Sequence, residues 1–399
     1  MKPLRVLQIV PSISLVYGGP SQMVRGLSAG LVKAGAEVTV LTTNSNGDTG
    51  QLPLDVPLNQ PLLEDGYTVR YFRCSPFRRY KFSLGLLTWL AQHAQHYDIA
   101  HIHALFSPVS TAAATVARWR GLPYILRPLG TLDPADLRKK RQFKRLYGGL
   151  LERPNIAGSA ALHFTSSQEA AISHRFGAKT QDLVIPLGVN PPPAISEAAA
   201  KEVCKQFGIP QDKPRILYLS RLDPKKGLDL LLPALEQLAQ AGIPFHLILA
   251  GANPQDPAYE QTVCDRILHS PLKAHTTITG FITGETKVAL LKTADLFVLP
   301  SYYENFGIAV AEAMMAELPV VISQGVYIWQ DIEQSGSGWI CDLTVASLAE
   351  KLKIALSNAS ERQARGANAR TFALENYGWD AIAHQTLAAY HHCLSRGLT

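Results

Sequence analysis

Short apolar runs alternate along this chain with longer segments whose apolar positions recur every three to four residues, the pattern of strands followed by amphipathic helices. The runs predict strands at 5–10, 37–41, 99–102, 123–126 and 161–165, and a second series at 215–219, 245–249, 276–279, 296–299 and 319–322. Helical periodicity covers 21–33, 228–241, 307–315 and 380–394. Strands separated by helices predict α/β architecture, with parallel sheets covered on both faces. Between the two series lies IPLGVNPPPAIS, where Gly188 and the prolines Pro191, Pro192 and Pro193 break regular structure and mark a linker. A chain of 399 residues exceeds the usual size of one core. We therefore expect domains at 1–190 and 191–379, with a final helical segment at 380–399.

Composition changes this picture little. Apolar residues make up 47% and charged residues 18%, ordinary for a globular protein. No apolar run approaches the roughly 20 residues of a membrane-spanning helix, and the start reads as a buried strand rather than a cleavable leader, so a cytoplasmic location is expected. The cysteines Cys74, Cys204, Cys264, Cys341 and Cys393 are scattered and without C-x-x-C spacing, which argues against a disulfide framework or zinc site.

Charge is uneven. Residues 1–190 hold 21 basic and 11 acidic side chains, net +10, which leaves 17 basic and 21 acidic, net −4, for the remainder. The surplus concentrates at 73–81 (RCSPFRRYK) and 138–145 (RKKRQFKR), with Tyr80, Phe82, Trp89, Phe143 and Tyr147 nearby. Such a surface is either a solvated helix face or a contact for anionic lipid, anionic glycan or nucleic acid, of which an anionic bilayer holding a lipid-linked acceptor is the sharper expectation. No nucleic-acid motif accompanies it, so no nucleic-acid partner is expected.

The candidate chemistry gathers in strand-to-helix loops, the edge where open α/β sheets bind ligands. In SRLDPKKG (220–227), Arg221 and Lys226 follow one strand and suit a diphosphate. In PSYYENFGIAVAEAM (300–314), Glu304 occupies a loop and Glu312 the helix after it, eight positions on. The N–H groups around Asn305, Phe306, Gly307 and Ile308 at that helix start face an anion. Gly18 and Gly19 follow the first strand and permit close backbone approach, while the dinucleotide fingerprint G-x-G-x-x-G is absent, against a nicotinamide-dependent oxidoreductase. His101 and His103 end a strand and share one face; a metal pair would need further ligands that the sequence does not present. Arg127 could meet a phosphate, a carboxylated acceptor or Asp133, and His163 closes another strand on the same edge.

The stretches SRLDPKKG, TGFITGETKVALLKTADLFVLPSYYENFGIAVAEAM and LPVV resemble the retaining, nucleotide-sugar-dependent family 4 glycosyltransferases of GT-B fold. The similarity spans the chain, specific at 215–346 and looser before about residue 186. It implies two Rossmann-like doubly wound domains facing across a cleft, the first binding the acceptor, the second the donor, and a last helix returning to the first. The resemblance places His103, Glu304, Arg221 and Lys226 in catalysis. It assigns donor binding to Gly18, Gly19, Gly251, Phe281, Ile282, Asn305, Phe306, Gly307, Ile308 and Glu312 together with Arg221, Lys226 and Glu304. Arg127 and His163 fall on the acceptor side. The stretch LILAGAN keeps Gly251 but carries Asn253 where the family commonly has a second glycine. No D-x-D motif occurs, so the expected reaction needs no metal and no cofactor beyond the nucleoside diphosphate sugar. The expected acceptor is a glycan or lipid-linked glycan, with peripheral contact to an anionic membrane. A sugar-nucleotide epimerase or phosphorylase on the same fold, and a non-catalytic scaffold binding sugar nucleotides, are the competing readings.

Overall fold

The computed structural model describes residues 2–47, 51–75, 81–138 and 141–396. The chain divides into two compact units, Met1–Gly188 with Trp379–Thr399, and Val189–Gly378. The first is built on strands β1 (Arg5–Ile9), β2 (Glu37–Thr43), β3 (Pro61–Glu64), β4 (Tyr67–Phe72), β5 (Ile99–His103), β6 (Tyr124–Arg127), β7 (Ala161–Phe164) and β8 (Asp182–Val184). They form one sheet in the order β3-β4-β2-β1-β5-β6-β7-β8. Only the edge pair β3 and β4 is antiparallel, joined through Asp65 and Gly66, both at positive φ as a tight hairpin requires.

Alternation along β1 splits its side chains between two layers. Leu7 and Ile9 enter a core with Leu86, Leu90 and Val109, while Val6 and Val10 join Val24, Leu27 and Ile382 on the other face. Each such fully buried aliphatic side chain contributes about 1.5–3 kcal/mol. Ile382 belongs to the last helix, Trp379–Arg396, which packs on the helix Gly19–Lys33. Glycines permit the close approach: a Cβ on Gly26 would lie 2.3 Å from the Trp379 ring.

The second unit contains β9 (Arg215–Leu219), β10 (His246–Ala250), β11 (Thr276–Gly280), β12 (Leu296–Leu299), β13 (Val320–Ser323) and β14 (Gly338–Cys341). All neighbours are parallel, in the order β11-β10-β9-β12-β13-β14. This is the doubly wound order 3-2-1-4-5-6, whose direction reverses between the first and fourth strands. The reversal separates the helices following β9 and β12, and opens a crevice at the carboxyl ends of those two strands.

Among the described residues no helix is long and apolar enough to cross a membrane.

Candidate active site

Two loops meet at the crevice of the second unit. The loop after β9 contains the short 3-10 turn Pro224–Lys226, capped by the Asp223 carboxylate, which accepts the Lys225 N–H. Gly227 follows in the left-handed region at φ 75°, and a Cβ there would lie 2.0 Å from the Pro300 carbonyl oxygen. Glycine is thus required both by the turn and by the neighbouring loop. The loop after β12 runs to Gly307, also left-handed, which caps the helix Ile308–Met315. The Tyr302 N–H donates to the Lys225 carbonyl at 2.8 Å, and the Tyr302 hydroxyl to Asp229 at 2.6 Å. A third loop braces them: the Glu304 N–H donates to Gly325 O at 2.8 Å. A Cβ on Gly325 would strike the Ser301 carbonyl at 2.1 Å.

These constraints bring the Lys226 ammonium, itself buried, against the Glu304 carboxylate. Next to it, burial and then the neighbouring Lys226 charge lower the pKa of Lys225. Glu312 projects from the second turn of Ile308–Met315 and pairs with Lys287 at 2.7 Å. Lys287 lies on the helix Gly284–Thr293. The first N–H groups of Ile308–Met315 lack intrahelical partners by geometry and carry the positive end of its dipole. The crevice therefore offers one anion-binding helix start, two ammonium groups and two carboxylates, a set suited to phosphates flanked by hydroxyls.

Other expected donor contacts are placed less centrally. Arg221 is half-exposed and bonds Gln255 at 3.1 Å, with Asp223 at 3.6 Å, rather than joining the Lys226–Glu304 pair. Gly251 directly follows β10, where a Cβ would lie 1.9 Å from Ser220 O, so backbone packing accounts for it. Asn253 donates from its side chain to Leu222 O at 2.8 Å and from its N–H to Glu260 at 2.5 Å, tying its loop to the loop after β9 and to the helix Pro257–Leu268. Past β11, Phe281 is exposed and Ile282 buried. Phe306 is buried edge-on against Tyr377, so only its backbone is offered to a ligand.

The first unit presents its own cluster at the carboxyl ends of β1, β5 and β6. Gly18 adopts φ 65° and opens the helix Gly19–Lys33. The loops after β5 and β6 are strained: Ala104, Phe106 and Leu129 all have positive φ without being glycine. Buried carboxylates hold them. Glu152 accepts from the Phe106 N–H at 2.6 Å and the Thr111 hydroxyl at 2.8 Å, and Glu169 from the Gly130 N–H at 3.2 Å and the Thr165 N–H at 2.7 Å. Burial raises both carboxyl pKa values, and the hydrogen bonds only partly offset it.

His103 is fully buried, its Nε2 2.7 Å from Gln8 Oε1 and its Nδ1 without a protein partner. Arg127 sits beside it in register, 2% exposed. Its Nη1 meets Met23 Sδ at 2.9 Å, while Nε and Nη2 have no partner. The expected alternative of pairing with Asp133 is not what forms, since Asp133 caps the helix Pro134–Leu137. The acceptor-side expectation for His163 needs correction: it is buried, Nδ1 bonded to His101 and Nε2 to Ile185 O, which leaves no ring nitrogen for a ligand. Among the described residues no three His, Cys, Asp or Glu side chains form a group able to hold a metal.

Of the two basic stretches, residues 76–80 (with Tyr80) and 139–140 lie outside the described residues. Tyr147 is spent internally on Thr111 at 2.8 Å, and Trp89 stacks on His93. Phe143, Leu146, Leu150 and Leu151 form an exposed apolar row along the helix Arg141–Tyr147 and the π-helical turn Gly148–Glu152.

Sequence reasoning missed Lys287, Glu152, Glu169, Gln8 and Tyr390. Of these, Gln8 alone leaves a trace, as a polar residue inside an apolar strand.

Residues 200–372 match the family "Glycosyl transferases group 1", and residues 18–188 the "Glycosyl transferase 4-like domain". An uncharacterized glycosyltransferase of Methanocaldococcus jannaschii is 25% identical over 94% of each chain. A D-inositol 3-phosphate glycosyltransferase of Kineococcus radiotolerans is 24% identical over 94% of this chain and 90% of that one. Among solved structures, sucrose-phosphate synthase from Thermosynechococcus elongatus superposes with a TM-score of 0.75 at 21% identity, covering 98% of this chain and 100% of the other. Anabaena HepE, solved with UDP and glucose, gives 0.70 at 18% over 98% and 100%. The architecture is thus GT-B, two doubly wound α/β units in one chain. With both halves matched, the chain belongs to the group 1 glycosyltransferases of family 4.

Proposed function

We propose that this enzyme moves a hexosyl group from a nucleoside diphosphate sugar to an acceptor hydroxyl, with retention at the anomeric carbon and without a metal ion. The observation that carries the reading is the convergence of Lys226, Glu304 and the start of Ile308–Met315 on the crevice between β9 and β12, with Glu312 one turn deeper. In this reading Lys226 and the helix N–H groups take the charge growing on the departing diphosphate. Arg221 swings from Gln255 to assist. Each well-placed donor is worth about 3–4 kcal/mol in such a role. Glu304 accepts from sugar hydroxyls and Glu312 from the ribose, both exchanging an ammonium partner for ligand hydroxyls. Backbone near Phe281 and Ile282 faces the base. Gly18, Gly19 and His103 take the role of sugar contacts.

The acceptor reading is a glycan or lipid-linked glycan. The buried, unpaired N–H groups of Arg127 favour an acceptor bearing an anion, and the exposed row Phe143, Leu146, Leu150 and Leu151 beside Arg141 and Arg145 favours peripheral contact with an anionic membrane on the cytoplasmic side.

Calorimetric titration with UDP-, GDP- and ADP-sugars in chelator tests the donor half. Micromolar binding by the wild type, lost in Glu312→Ala and Arg221→Ala, is expected; no binding to any of them would remove the reading. Liposomes with and without acidic lipid test the membrane half, equal binding to both counting against it.

A further inference from the structure

Gln8 is a fully buried amide in β1, beyond the family's donor-binding residues described above, and begins a line of polar groups leading away from His103. Its Nε2 lies 3.0 Å from the Tyr390 hydroxyl on the helix Trp379–Arg396, and that hydroxyl lies 2.8 Å from His101 Nδ1. His101 Nε2 is 3.2 Å from His163 Nδ1, and His163 Nε2 is 2.8 Å from the Ile185 carbonyl oxygen. All these side chains are 2% exposed or less.

The line has one consistent direction. A backbone carbonyl only accepts, so His163 Nε2 carries the proton and, the ring being neutral, its Nδ1 accepts. His101 must then donate from Nε2, which leaves its Nδ1 as an acceptor for the Tyr390 O–H. The hydroxyl oxygen in turn accepts from Gln8 Nε2, so Gln8 turns its carbonyl oxygen toward His103. His103 donates from Nε2, and its Nδ1 is a bare lone pair. Flipping the Gln8 amide would reverse every bond and end in two acceptors facing each other at Ile185. An imidazolium would lift that constraint, but burial and the Arg127 charge push all three rings toward the neutral form.

We propose that Tyr390 and Gln8 are positioning residues that hold His103 in the Nε2–H tautomer, so that Nδ1, which no protein group engages, accepts a hydrogen bond from a substrate hydroxyl. The Ile185 carbonyl fixes the direction of the line, and His101 and His163 carry it. This rests on the reading of His103 as a donor-sugar contact, and it states which of its atoms makes the contact and why.

The test is long-range 1H–15N correlation spectroscopy at pH 7.5 on protein labelled at the histidine nitrogens, with each ring assigned by its own Gln variant. In the wild type, His101, His103 and His163 are all expected as Nε2–H tautomers. In Tyr390→Phe and in Gln8→Leu, His103 is expected to populate both tautomers. Turnover should fall about tenfold or more, with KM for the donor changed less than twofold. A proton on Nδ1 of His103 in the wild type, or an unchanged His103 signature in both variants, overturns the proposal. If the tautomers are as expected and the wild type neither binds nor turns over any nucleoside diphosphate sugar, the wiring stands and the glycosyl-transfer role of His103 falls. The wild-type spectrum decides the wiring even if both variants fail to fold.

Discussion

Replacing Arg127 with methionine should make the protein more stable and less active. The guanidinium is wholly enclosed at the end of β6, and one of its nitrogens touches only a thioether. Burial is the main cause that pushes its pKa down from the ordinary arginine value to about 10, and the attraction of Glu169 only partly opposes this. A depression of that size corresponds to about 3 kcal/mol of lost solvation, net of Glu169. Because the folded pKa lies below the unfolded one, the cost is fully present at pH 7 and fades only as pH rises through about 10 toward the ordinary arginine value. Methionine fills a similar volume beside Met23 without a charge, so Arg127→Met should stabilise the first unit by about 1–3 kcal/mol. Equilibrium urea unfolding at pH 7, followed by a probe confined to residues 1–188 and compared at equal m-value, measures this. Turnover with an anionic acceptor should drop at the same time, the usual outcome when a destabilising group is kept for function. A variant destabilised by 1 kcal/mol or more would refute the reasoning, because it would mean that the cation has partners sufficient to offset its burial.

Lys226→Met, which removes the ammonium at the crevice, should lower kcat/KM by about 100-fold or more in donor-saturation kinetics; a loss under threefold would exclude Lys226 from leaving-group stabilisation. Gly26→Ala forces a methyl toward the Trp379 ring and should cost about 1–3 kcal/mol, read as a lower Tm with donor affinity unchanged; an unaltered Tm would show that the Trp379 helix shifts freely. The neutral rings of His101, His103 and His163, whose pKa values burial depresses below 6.5, refuse protons that the unfolded chain accepts. Stability should therefore fall as pH drops below 6.5, by up to about 1.4 kcal/mol per ring per pH unit, about 4 per pH unit for the three together. The buried carboxyls of Glu152 and Glu169 work in the opposite sense and shave this slope. A flat urea midpoint between pH 6.5 and 5 would contradict the burial of the three rings.

The apolar runs revealed the central strands because those strands are buried on both faces, which turns them into nearly unbroken hydrophobic words. They did not reveal β3, β4, β8 or β14. β4 reads YTVRYF, with polar residues alternating at a sheet margin, and β3 and β8 are edge strands of three or four half-exposed residues. At such positions cross-strand pairing, not local composition, decides the conformation. Glu304 and Lys226 were legible because strand-to-helix loops are short and the chemistry sits within them, and Glu312 because it follows on the helix that one such loop opens. Lys287 was not, since it reaches Glu312 from a helix 25 positions away in sequence. The His103 neighbourhood shows the same limit: the spacing of His101 and His103 placed them on one face, but Tyr390 enters from almost 300 residues further on. Buried polar residues in that face could be read from sequence as ligands or as partners of one another, and only the topology separates His163, enclosed in the line, from His103, which ends it.

The return of the last helix to the first unit has a consequence for how the protein is made. As the chain leaves the ribosome, residues 1–188 emerge before the second unit, yet the part of one sheet face that includes Gln8 and His101 stays without its last helix until Trp379–Arg396 appears. The second unit, uninterrupted in sequence, can complete itself before that. The unit that emerges earlier therefore finishes folding later. During that interval its exposed apolar face is a natural point of capture for chaperones, and premature termination after residue 378 would produce a well-folded second unit tethered to an unfinished first one.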